Sequence, residues 1–266
     1  MAEHKGIKMA KKMNNKSWLV VLSVLTLCFF CLPMSPGAAS EQNVSVEEKA
    51  EGFVPLFNGK DLTGWVGNTA GYAARDGNIV VLPNVGGGNL YIEKEYSDFV
   101  FRFEFKLTDG ANNGVGIRTP LEGDAAYVGM EIQILDDTSA KYNDPNRKDY
   151  YKLKPYQYHG SIYGVVPAMT GCLKPLGQWN YEEIVADGPH IIVNLNGTTI
   201  VDANLDKITF PTIDGRKHPG LKNKKGHIGF LGHDDALEFR NIRIKELEKK
   251  GSEAFFQGDS KIKPAS

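Results

Sequence analysis

Apolar and polar side chains alternate with a period of two along much of the chain between residues 78 and 247. The cleanest run is Phe99–Leu107, in which four phenylalanines and a leucine face one way and three charged residues face the other. A period of two is typical of a β-strand with one buried face. We therefore predict a strand over this run, with Phe101, Phe103 and Phe105 in the core.

Shorter alternating runs occupy most of the remaining chain and are separated by Gly, Asn and Pro. They cover residues 78–82, 90–94, 112–118, 227–232 and 236–247. Asn196-Gly197 lies inside a further run, 190–199, and this pair is a strong hairpin signal. The apolar phase slips by one position near Arg240, which predicts a β-bulge. Short strands, Gly-rich turns and few helical patterns predict an all-β fold, a single domain built as an antiparallel β-sandwich or jelly roll.

The stretch 127–137 places polar residues on one face of a predicted strand, where Glu131 and Gln133 alternate with apolar residues. The second face of a sheet is often merely solvated, but the neighbouring runs argue for more. The run 112–118 adds Arg118, and the run 158–164 adds His159 and Tyr163. We predict that Glu131, Gln133, Arg118 and His159 share one concave polar face, a set of groups suited to a polyhydroxylated molecule.

The two ends of the chain differ from this patterned middle. Residues 1–40 combine a lysine-rich start, an uncharged apolar run over 18–32 and then small residues, which is the layout of a secretory signal peptide. The apolar run is short for a membrane span, so we expect cleavage near Ala39 or Ser40 and export to a bacterial periplasm or cell envelope. Residues 41–51 are predicted to be a charged linker, 52–247 the domain, and 248–266 a mobile polar tail.

Three cysteines bear on the compartment in which the protein works. Cys28 and Cys31 fall in the predicted signal, and a lipid anchor on one of them is the less favoured alternative to simple export. Loss of the signal would leave Cys172 alone, so we expect no internal disulfide in the mature protein. An exported protein without disulfides is more typical of a bacterial envelope than of a disulfide-rich extracellular module.

The charge balance and the motifs of the sequence limit the classes of molecule that the protein is expected to bind. The chain has 31 Lys and Arg against 32 Asp and Glu, a net charge of −1, which does not support nucleic acid or an acidic partner. The sequence has neither a phosphate-binding Gly loop in the required context nor zinc-spaced Cys and His. Asp136 and Asp137 end a strand, where acidic residues either form a turn or ligate a hard cation. We expect a carbohydrate partner and no stable membrane span, and a divalent cation and the oligomeric state stay open.

A set of motifs occurs in a fixed order through the patterned region. They are PLFNGKDLTGW (55–65), NGVGIR (113–118), GMEIQILD (129–136), GSIYG (160–164), GQWN (177–180), NLNG (194–197) and FRNIRI (239–244). This order resembles the 3-keto-disaccharide hydrolase family, also described as the 3-keto-glucoside 1,2-lyase and 3-keto-2-hydroxyglucal hydratase domain. The resemblance covers roughly residues 53–247 and implies a fold similar to concanavalin A-like lectins and glucanases.

The chain departs from the family pattern in three places. A Gln-Asp-His often found near the last hairpin is replaced by Leu231-Gly232-His233, the run Gly114 to Gly116 is smaller than usual, and the insert 141–157 is long. These differences affect the expected substrate preference more than the expected fold.

The resemblance implies cleavage of the glycosidic bond of 3-keto glucosides. A ketone at C3 acidifies the C2 proton, so a base can remove it and the C1 substituent can leave, after which water can add back. We expect His159 to be the base, Glu131 the acid or a cation-holding carboxylate, and Arg118 the partner of the enolate oxygen. The residues expected to bind substrate are Gln133, Tyr163, Trp179 and His233.

Two other classes of protein fit the same residues. A conventional glycoside hydrolase would use two carboxylates, such as Glu131 and Asp136, and a non-catalytic carbohydrate-binding module would need exposed aromatic residues and no base. Individual residues also have structural alternatives: Arg118 as an ion-pair partner of Glu131, Trp179 as a core residue, and His233 as a capping or surface residue.

Overall fold

Residues 44–248 are described by a computed structural model, and in it two antiparallel β-sheets pack face to face. The predicted signal peptide, its cleavage near Ala39 or Ser40, the lipid anchor at Cys28 or Cys31, and all of the predicted tail except Glu248 lie outside the described residues. Within the described range no helix is long and apolar enough to cross a membrane.

The larger sheet has eight strands. They are β1 (Val54–Pro55), β3 (Tyr72–Arg75), β4 (Asn78–Val81), β6 (Phe99–Leu107), β9 (Trp179–Asp187), β10 (His190–Leu195), β11 (Thr198–Asn204) and β13 (Leu237–Glu246). Their order is β11-β10-β9-β6-β13-β4-β3, and β1 pairs with β13.

The smaller sheet has five strands in the order β2-β5-β12-β7-β8. They are β2 (Trp65–Gly67), β5 (Gly88–Ile92), β7 (Asn112–Thr119), β8 (Met130–Leu135) and β12 (His227–Gly232). The α-helices are α1 (Val46–Ala50), α2 (Ala125–Val128) and α3 (Ala140–Asn143), and short 3-10 turns occupy Thr69–Gly71, Pro155–Gln157, Leu205–Lys207 and Pro219–Lys222. The predicted antiparallel sandwich is confirmed.

The core lies between the sheets and is rich in aromatic rings. Phe101, Phe103 and Phe105 of β6 are buried, as the alternation predicts. The ring of Phe103 lies 6.0 Å from that of Phe230 in the smaller sheet and 6.0 Å from that of Phe239 in the larger one, and Phe230 stacks on Phe239 at 3.6 Å. Since Phe103 contacts both sheets, it holds the two layers together.

Two local predictions in the larger sheet are also confirmed. Asn196-Gly197 forms the turn between β10 and β11 with both φ angles positive, 51° and 86°, as the primed turns of tight hairpins require. The pairing of β13 with β6 shifts register between Arg240 and Arg243, and Asn241 has a φ of 50°. The slip in apolar phase is therefore a β-bulge.

The chain before β8 differs from the predicted strand over 127–137. The residues just after Asp124 turn into helix α2, because the Asp124 side chain accepts a hydrogen bond of 3.2 Å from the backbone N–H of Ala126 and caps its start. The strand itself begins at Met130. Its outer edge is covered by residues 160–163, which hydrogen-bond to β8 through three backbone contacts of 2.7–3.0 Å.

The described part of the predicted linker is attached to the sandwich. Ser45 caps α1 through a hydrogen bond of 3.1 Å from the backbone N–H of Glu48. The Glu48 carboxylate lies 3.0 Å from a nitrogen of Arg102 and 2.8 Å from a nitrogen of Arg243. Both arginines point away from the core, so α1 lies on the outer face of the larger sheet.

Candidate active site

The outer face of the smaller sheet carries a pocket of about 540 Å³. Met130, Ile132 and Ile134 of β8 point into the core, and the alternation of the strand therefore turns Glu131 and Gln133 outward into the pocket floor. The lining residues come from β7, α2 and its cap, β8, the segment 141–163 and the loops at 216 and 233. They are Asn112, Asp124, Ala126, Tyr127, Glu131, Gln133, Lys141, Tyr142, Tyr151, Gln157, Tyr163, Arg216 and His233.

Glu131 lies where the neighbouring strand has no side chain. A Cβ on Gly114 of β7 would lie only 2.2 Å from Oε1 of Glu131, so the small residue at 114 makes space for the carboxyl group. Glu131 is 6% exposed, and its carboxyl group receives no hydrogen bond from any residue in 44–248. Burial, with a smaller contribution from the charge of Asp124, raises the pKa of Glu131 to about 8. The group is therefore protonated at neutral pH.

Gln133 is fixed beside this carboxyl group. Its Nε2 donates a hydrogen bond of 2.6 Å to Oδ1 of Asn112 on β7. The contact leaves the carbonyl oxygen of Gln133 and the amino group of Asn112 for other partners. Two amides of fixed orientation at the floor of a pocket suit the hydroxyl groups of a sugar.

One wall of the pocket is built by the long insert and the segment that follows it. Tyr163 is brought next to β8 by the hydrogen bond of its backbone N–H to the carbonyl of Glu131, 2.9 Å. The hydroxyl oxygen of Tyr163 accepts a hydrogen bond of 3.2 Å from Nε2 of Gln157, which also lies 3.1 Å from the hydroxyl of Tyr151. Residues 141–157 thus shape the pocket, as their unusual length suggests.

The opposite wall contains residues that the sequence analysis missed. The hydroxyl of Tyr127 accepts a hydrogen bond of 2.7 Å from Nη1 of Arg216, whose guanidinium also lies over the Tyr127 ring at 5.1 Å. The His218 ring packs against the Tyr127 ring at 4.8 Å, and its Nε2 lies 3.0 Å from Asp214. Arg216 is 89 positions from Tyr127 in sequence, and no local pattern links the two.

His233 lies at the rim of the pocket and is partly exposed. The next residue, Asp234, holds the loop in place, because its carboxylate accepts hydrogen bonds from the backbone N–H groups of Val85 at 3.2 Å and Gly87 at 2.5 Å. Desolvation lowers the pKa of His233 below its usual range, although nearby carboxylates, with that of Asp235 the most important, act in the opposite direction. The imidazole is therefore neutral at neutral pH.

The prediction that Arg118 shares the face of Glu131 is wrong. β7 shifts register against β12 between His227 and Gly229, and Arg118 itself has a φ of 49°. This irregularity turns the side chain away from the pocket. Arg118 is 2% exposed and donates to the carbonyl oxygens of Ser97 and Gly188, both at 2.7 Å, and to Asp98 at 3.0 Å. These contacts connect the end of β7 to residues 97–98 and 188, which is a structural role. The ion-pair partner of Arg118 is Asp98 and not Glu131, the partner considered from the sequence.

His159 also lies off the predicted polar face. It is 2% exposed and sits between the sheets, with its ring 5.0 Å from that of Phe105. Its Nε2 lies 3.0 Å from a carboxylate oxygen of the fully buried Glu182, and its Nδ1 accepts a hydrogen bond of 3.3 Å from the backbone N–H of Leu135. The ring therefore lies behind β8 and does not line the pocket.

Trp179 does not line this pocket. It is part of β9 on the outer face of the larger sheet, where the Lys106 ammonium lies 4.8 Å and the Arg240 guanidinium 4.0 Å from the centre of its ring. Among the sequence-predicted site residues, those that the structure brings together in the pocket are Glu131, Gln133, Tyr163 and His233.

The two acidic residues considered for a divalent cation are engaged in local structure. Asp136 accepts hydrogen bonds from the Gly110 N–H at 2.9 Å and the Thr138 hydroxyl at 2.6 Å, and Asp137 accepts one from the His159 N–H at 3.4 Å. No group of three or more His, Cys, Asp or Glu in the described range is arranged to hold a metal ion. In this structure the two carboxylates serve the turn that follows β8.

The pocket therefore offers a protonated carboxyl group and a neutral imidazole together with amide and phenol groups. Two titratable groups whose pKa values are moved in opposite directions are the usual basis for assigning an acid and a base. The polar groups that surround them suit a substrate with many hydroxyls.

Comparisons with known proteins identify the family and the fold. The sequence model of the 3-keto-alpha-glucoside-1,2-lyase-like domain matches residues 52–245. A 3-keto-disaccharide hydrolase of Bacteroides thetaiotaomicron is 25% identical over 252 residues, which cover 79% of this chain and 84% of that protein.

Two crystal structures of Parabacteroides distasonis proteins, both named provisionally as glycosyl hydrolases, have the same fold. One is 30% identical with a TM-score of 0.63 and covers 73% of this chain and 99% of its own. The other is 24% identical with a TM-score of 0.64, and the match covers 78% of this chain and 99% of that chain.

Proposed function

Because the chain belongs to the 3-keto-alpha-glucoside-1,2-lyase-like domain family, we propose that it cleaves the glycosidic bond of 3-keto disaccharides and related 3-keto glucosides. Net hydrolysis follows from elimination across C1 and C2 and the return of water. The observation that carries this proposal is the pairing, in one pocket, of a carboxyl group whose pKa is raised to about 8 with a histidine whose pKa is lowered.

In the first half of the reaction, the neutral imidazole of His233 takes the C2 proton. The C2–H electron pair passes into an enolate with the C3 carbonyl. As this enolate collapses, the bond from C1 to the glycosidic oxygen breaks, and the carboxyl group of Glu131 gives its proton to the departing oxygen. The products are the free alcohol and an enone with a double bond between C1 and C2.

In the second half, water adds to C1 of the enone. The carboxylate of Glu131 takes a proton from the attacking water, and the imidazolium of His233 returns a proton to C2. Both side chains regain their starting states, and the sum is hydrolysis to a 3-keto sugar. Gln133 and Tyr163 hold the ring hydroxyls and limit its movement between the two halves.

The protonation states explain why these two residues take these roles. A general acid must carry its proton at working pH and a general base must not. Glu131 with a raised pKa and His233 with a lowered pKa satisfy both conditions at neutral pH. The assignment keeps the chemistry expected from the sequence, an imidazole base and a Glu131 acid, and replaces His159 by His233.

A matched pair of substrates tests the proposal. The protein is incubated with a 3-keto disaccharide and with its parent disaccharide, and both products are followed by NMR in deuterated water. We expect turnover of the 3-keto substrate alone, with solvent deuterium at C2 of the hydrated product once exchange in the unreacted substrate has been measured.

Three other results would reject the proposal or its mechanism. Turnover of the parent at a similar rate would indicate a two-carboxylate hydrolase, for which Asp124 in the same pocket offers the second carboxylate. Binding without turnover would indicate a carbohydrate-binding module. Cleavage of the 3-keto substrate without deuterium at C2 would indicate direct attack at C1.

A further inference from the structure

The hydroxyl group of Tyr127 has a hydrogen-bonding pattern that the acid and the base do not explain. From this pattern we infer that Tyr127 is a catalytic residue, whose hydroxyl group donates a hydrogen bond to the C3 oxygen as the enolate forms and keeps its proton throughout, and that Arg216 strengthens this donor. The inference rests on the proposed function and names the group that stabilises its charged intermediate.

The phenol oxygen of Tyr127 accepts a hydrogen bond, and its hydroxyl proton is left for another partner. Arg216 can only donate, so its contact of 2.7 Å makes the phenol oxygen of Tyr127 the acceptor. No acceptor for the hydroxyl proton of Tyr127 occurs among residues 44–248. The pKa of Tyr127 is raised, mainly by desolvation, so the proton stays on the oxygen at working pH. A phenol that lines the pocket and keeps an unused proton is a ready donor to a ligand oxygen.

The guanidinium of Arg216 places a positive charge next to the phenol oxygen of Tyr127. A guanidinium hydrogen-bonded to a phenol oxygen draws electron density from it and so makes the O–H group a stronger donor. Donors that are fixed before the reaction at the position where negative charge develops contribute large rate effects. The enolate oxygen at C3 is the atom on which this reaction places its negative charge.

Tyr127 and Arg216 are also held in position relative to each other by hydrogen bonds of Asp214 and His218. Asp214 Oδ1 accepts a hydrogen bond of 2.9 Å from the backbone N–H of Arg216, and Oδ2 lies 3.0 Å from Nε2 of His218. The other ring nitrogen of His218 lies 3.1 Å from the carbonyl of Ala126, the residue before Tyr127. The loop that carries Arg216 and the helix that carries Tyr127 are therefore joined in one network.

Other phenols of the pocket lack this combination. The hydroxyl group of Tyr142 donates a hydrogen bond of 3.1 Å to the carbonyl oxygen of Gly110. Tyr163 accepts from the neutral amide of Gln157 at 3.2 Å, which polarises its O–H group less than a guanidinium does. Arg118, expected from the sequence to bind the enolate oxygen, lies outside the pocket. Tyr142 also has a cation nearby, since the Lys141 ammonium lies 5.2 Å from its ring, but its proton is already donated. Tyr127 therefore combines a hydroxyl oxygen that accepts from a guanidinium with a hydroxyl proton that has no acceptor among residues 44–248.

The decisive probe is a 3-keto sugar that carries hydrogen in place of the leaving group at C1, 1,5-anhydro-3-ketoglucitol. This compound can form the enolate but cannot eliminate, so the exchange of its C2 proton in deuterated water reports enolate formation alone. We expect Tyr127→Phe to slow this exchange by about 10²–10³-fold and to weaken binding of the same compound by less than about tenfold.

Comparison variants make the result specific. Tyr181→Phe is the matched control, because Tyr181 lies on the outer face of the larger sheet against Arg243, and its exchange rate should equal that of the native chain. Tyr163→Phe should slow exchange less than Tyr127→Phe does. Equal losses at the two positions, or exchange by Tyr127→Phe within about threefold of the native rate, would overturn the assignment.

Arg216→Ala supplies an independent measurement should Tyr127→Phe fail to fold. We expect slower exchange in this variant and partial recovery when millimolar guanidinium chloride is added, since the free cation can occupy the vacated position beside the phenol. Unchanged exchange, or a loss that guanidinium does not recover, would overturn the role of Arg216. If the native chain cleaves 3-keto disaccharides but never exchanges the C2 proton of the probe, the proposed elimination fails and not only the role of Tyr127.

Discussion

The carboxyl group of Glu131 loses most of its hydration in the folded protein, and no hydrogen bond from a described residue replaces it. At neutral pH the folded protein keeps the proton on this group and so does not bury a charge. A residue placed in this way still destabilises the fold at any pH above its ordinary pKa, because the unfolded chain can release the proton there and the folded chain holds it. Active-site groups often carry such a cost because catalysis needs the perturbed state.

Glu131→Gln should therefore stabilise the protein more at pH 7 than at pH 5. The pKa of Glu131 is about 8 in the folded state, against 4.5 as its ordinary value, so the native state binds more protons between these values. The free energy of unfolding of the native chain thus falls as the pH rises through this window. Urea unfolding should show an advantage for the variant at pH 7, on the order of 2 kcal/mol larger than at pH 5. An advantage that does not change with pH would contradict the raised pKa.

The same two groups set the expected pH dependence of cleavage. Below the lowered pKa of His233 the base becomes protonated, and above about pH 8 the Glu131 acid loses its proton. We expect kcat/KM for a 3-keto disaccharide to form a bell with an acid limb below about 6.5 and an alkaline limb near 8. An acid limb near pH 4 with no alkaline limb would instead indicate that a carboxylate is the base.

At the level of single strands, alternation predicts which way a side chain points only while the hydrogen-bond ladder is regular. β8 is regular, so Glu131 and Gln133 are found on the predicted face. β7 is irregular near its end, and Arg118 is therefore turned away from that face. The pattern of residues 112–118 contains no signal for this shift, because the apolar phase of the run is intact up to the irregularity.

Gly114→Ala tests the packing between β7 and β8. The added methyl group would lie 2.2 Å from Oε1 and 2.8 Å from Cδ of Glu131, so the carboxyl group must leave its position. We expect a loss of more than about tenfold in kcat with the sandwich retained, because a displaced acid no longer reaches the leaving oxygen. Circular dichroism and steady-state kinetics are the measurements.

Gly116→Ala on the same strand is the comparison for this change. Its methyl group would meet methyl groups of Thr119 and Leu231 at 3.0 and 3.1 Å, and flexible side chains can move by that amount. A smaller loss of activity is expected here. Equal losses for the two variants would show that the effect at 114 comes from the strand and not from Glu131.

For the whole molecule, the fold is more predictable than the site. The sandwich follows from apolar periods, from Asn196-Gly197 and from the phase slip at the β13 bulge, all of which are local signals. The pocket depends on contacts between distant segments: Arg216 reaches Tyr127 across 89 positions, and His159 enters the core to meet Glu182. Residue type alone did not distinguish His159 from His233, because both are histidines in Gly-containing loops.

Phe103→Ala measures how strongly the two sheets depend on their shared core. The ring is fully buried and contacts Phe230 and Phe239 from opposite sheets. We expect a loss of about 3–5 kcal/mol in the free energy of unfolding. Val100→Ala on the opposite face of the same strand should cost less than about 1 kcal/mol. If Phe103→Ala and Val100→Ala lowered the free energy of unfolding in denaturant by similar amounts, the burial of the face that carries Phe103 would be contradicted.

The position of α1 has a practical consequence for handling the protein. Glu48 fastens this helix to Arg102 and Arg243 on the outer face of the larger sheet, whereas the pocket opens on the outer face of the smaller one. Because the sheets pack face to face, their outer faces lie on opposite sides of the sandwich, and α1 is on the side away from the pocket. A resin or sensor surface coupled at α1 would leave the pocket facing the solution, and large glycosides would still have free access to it.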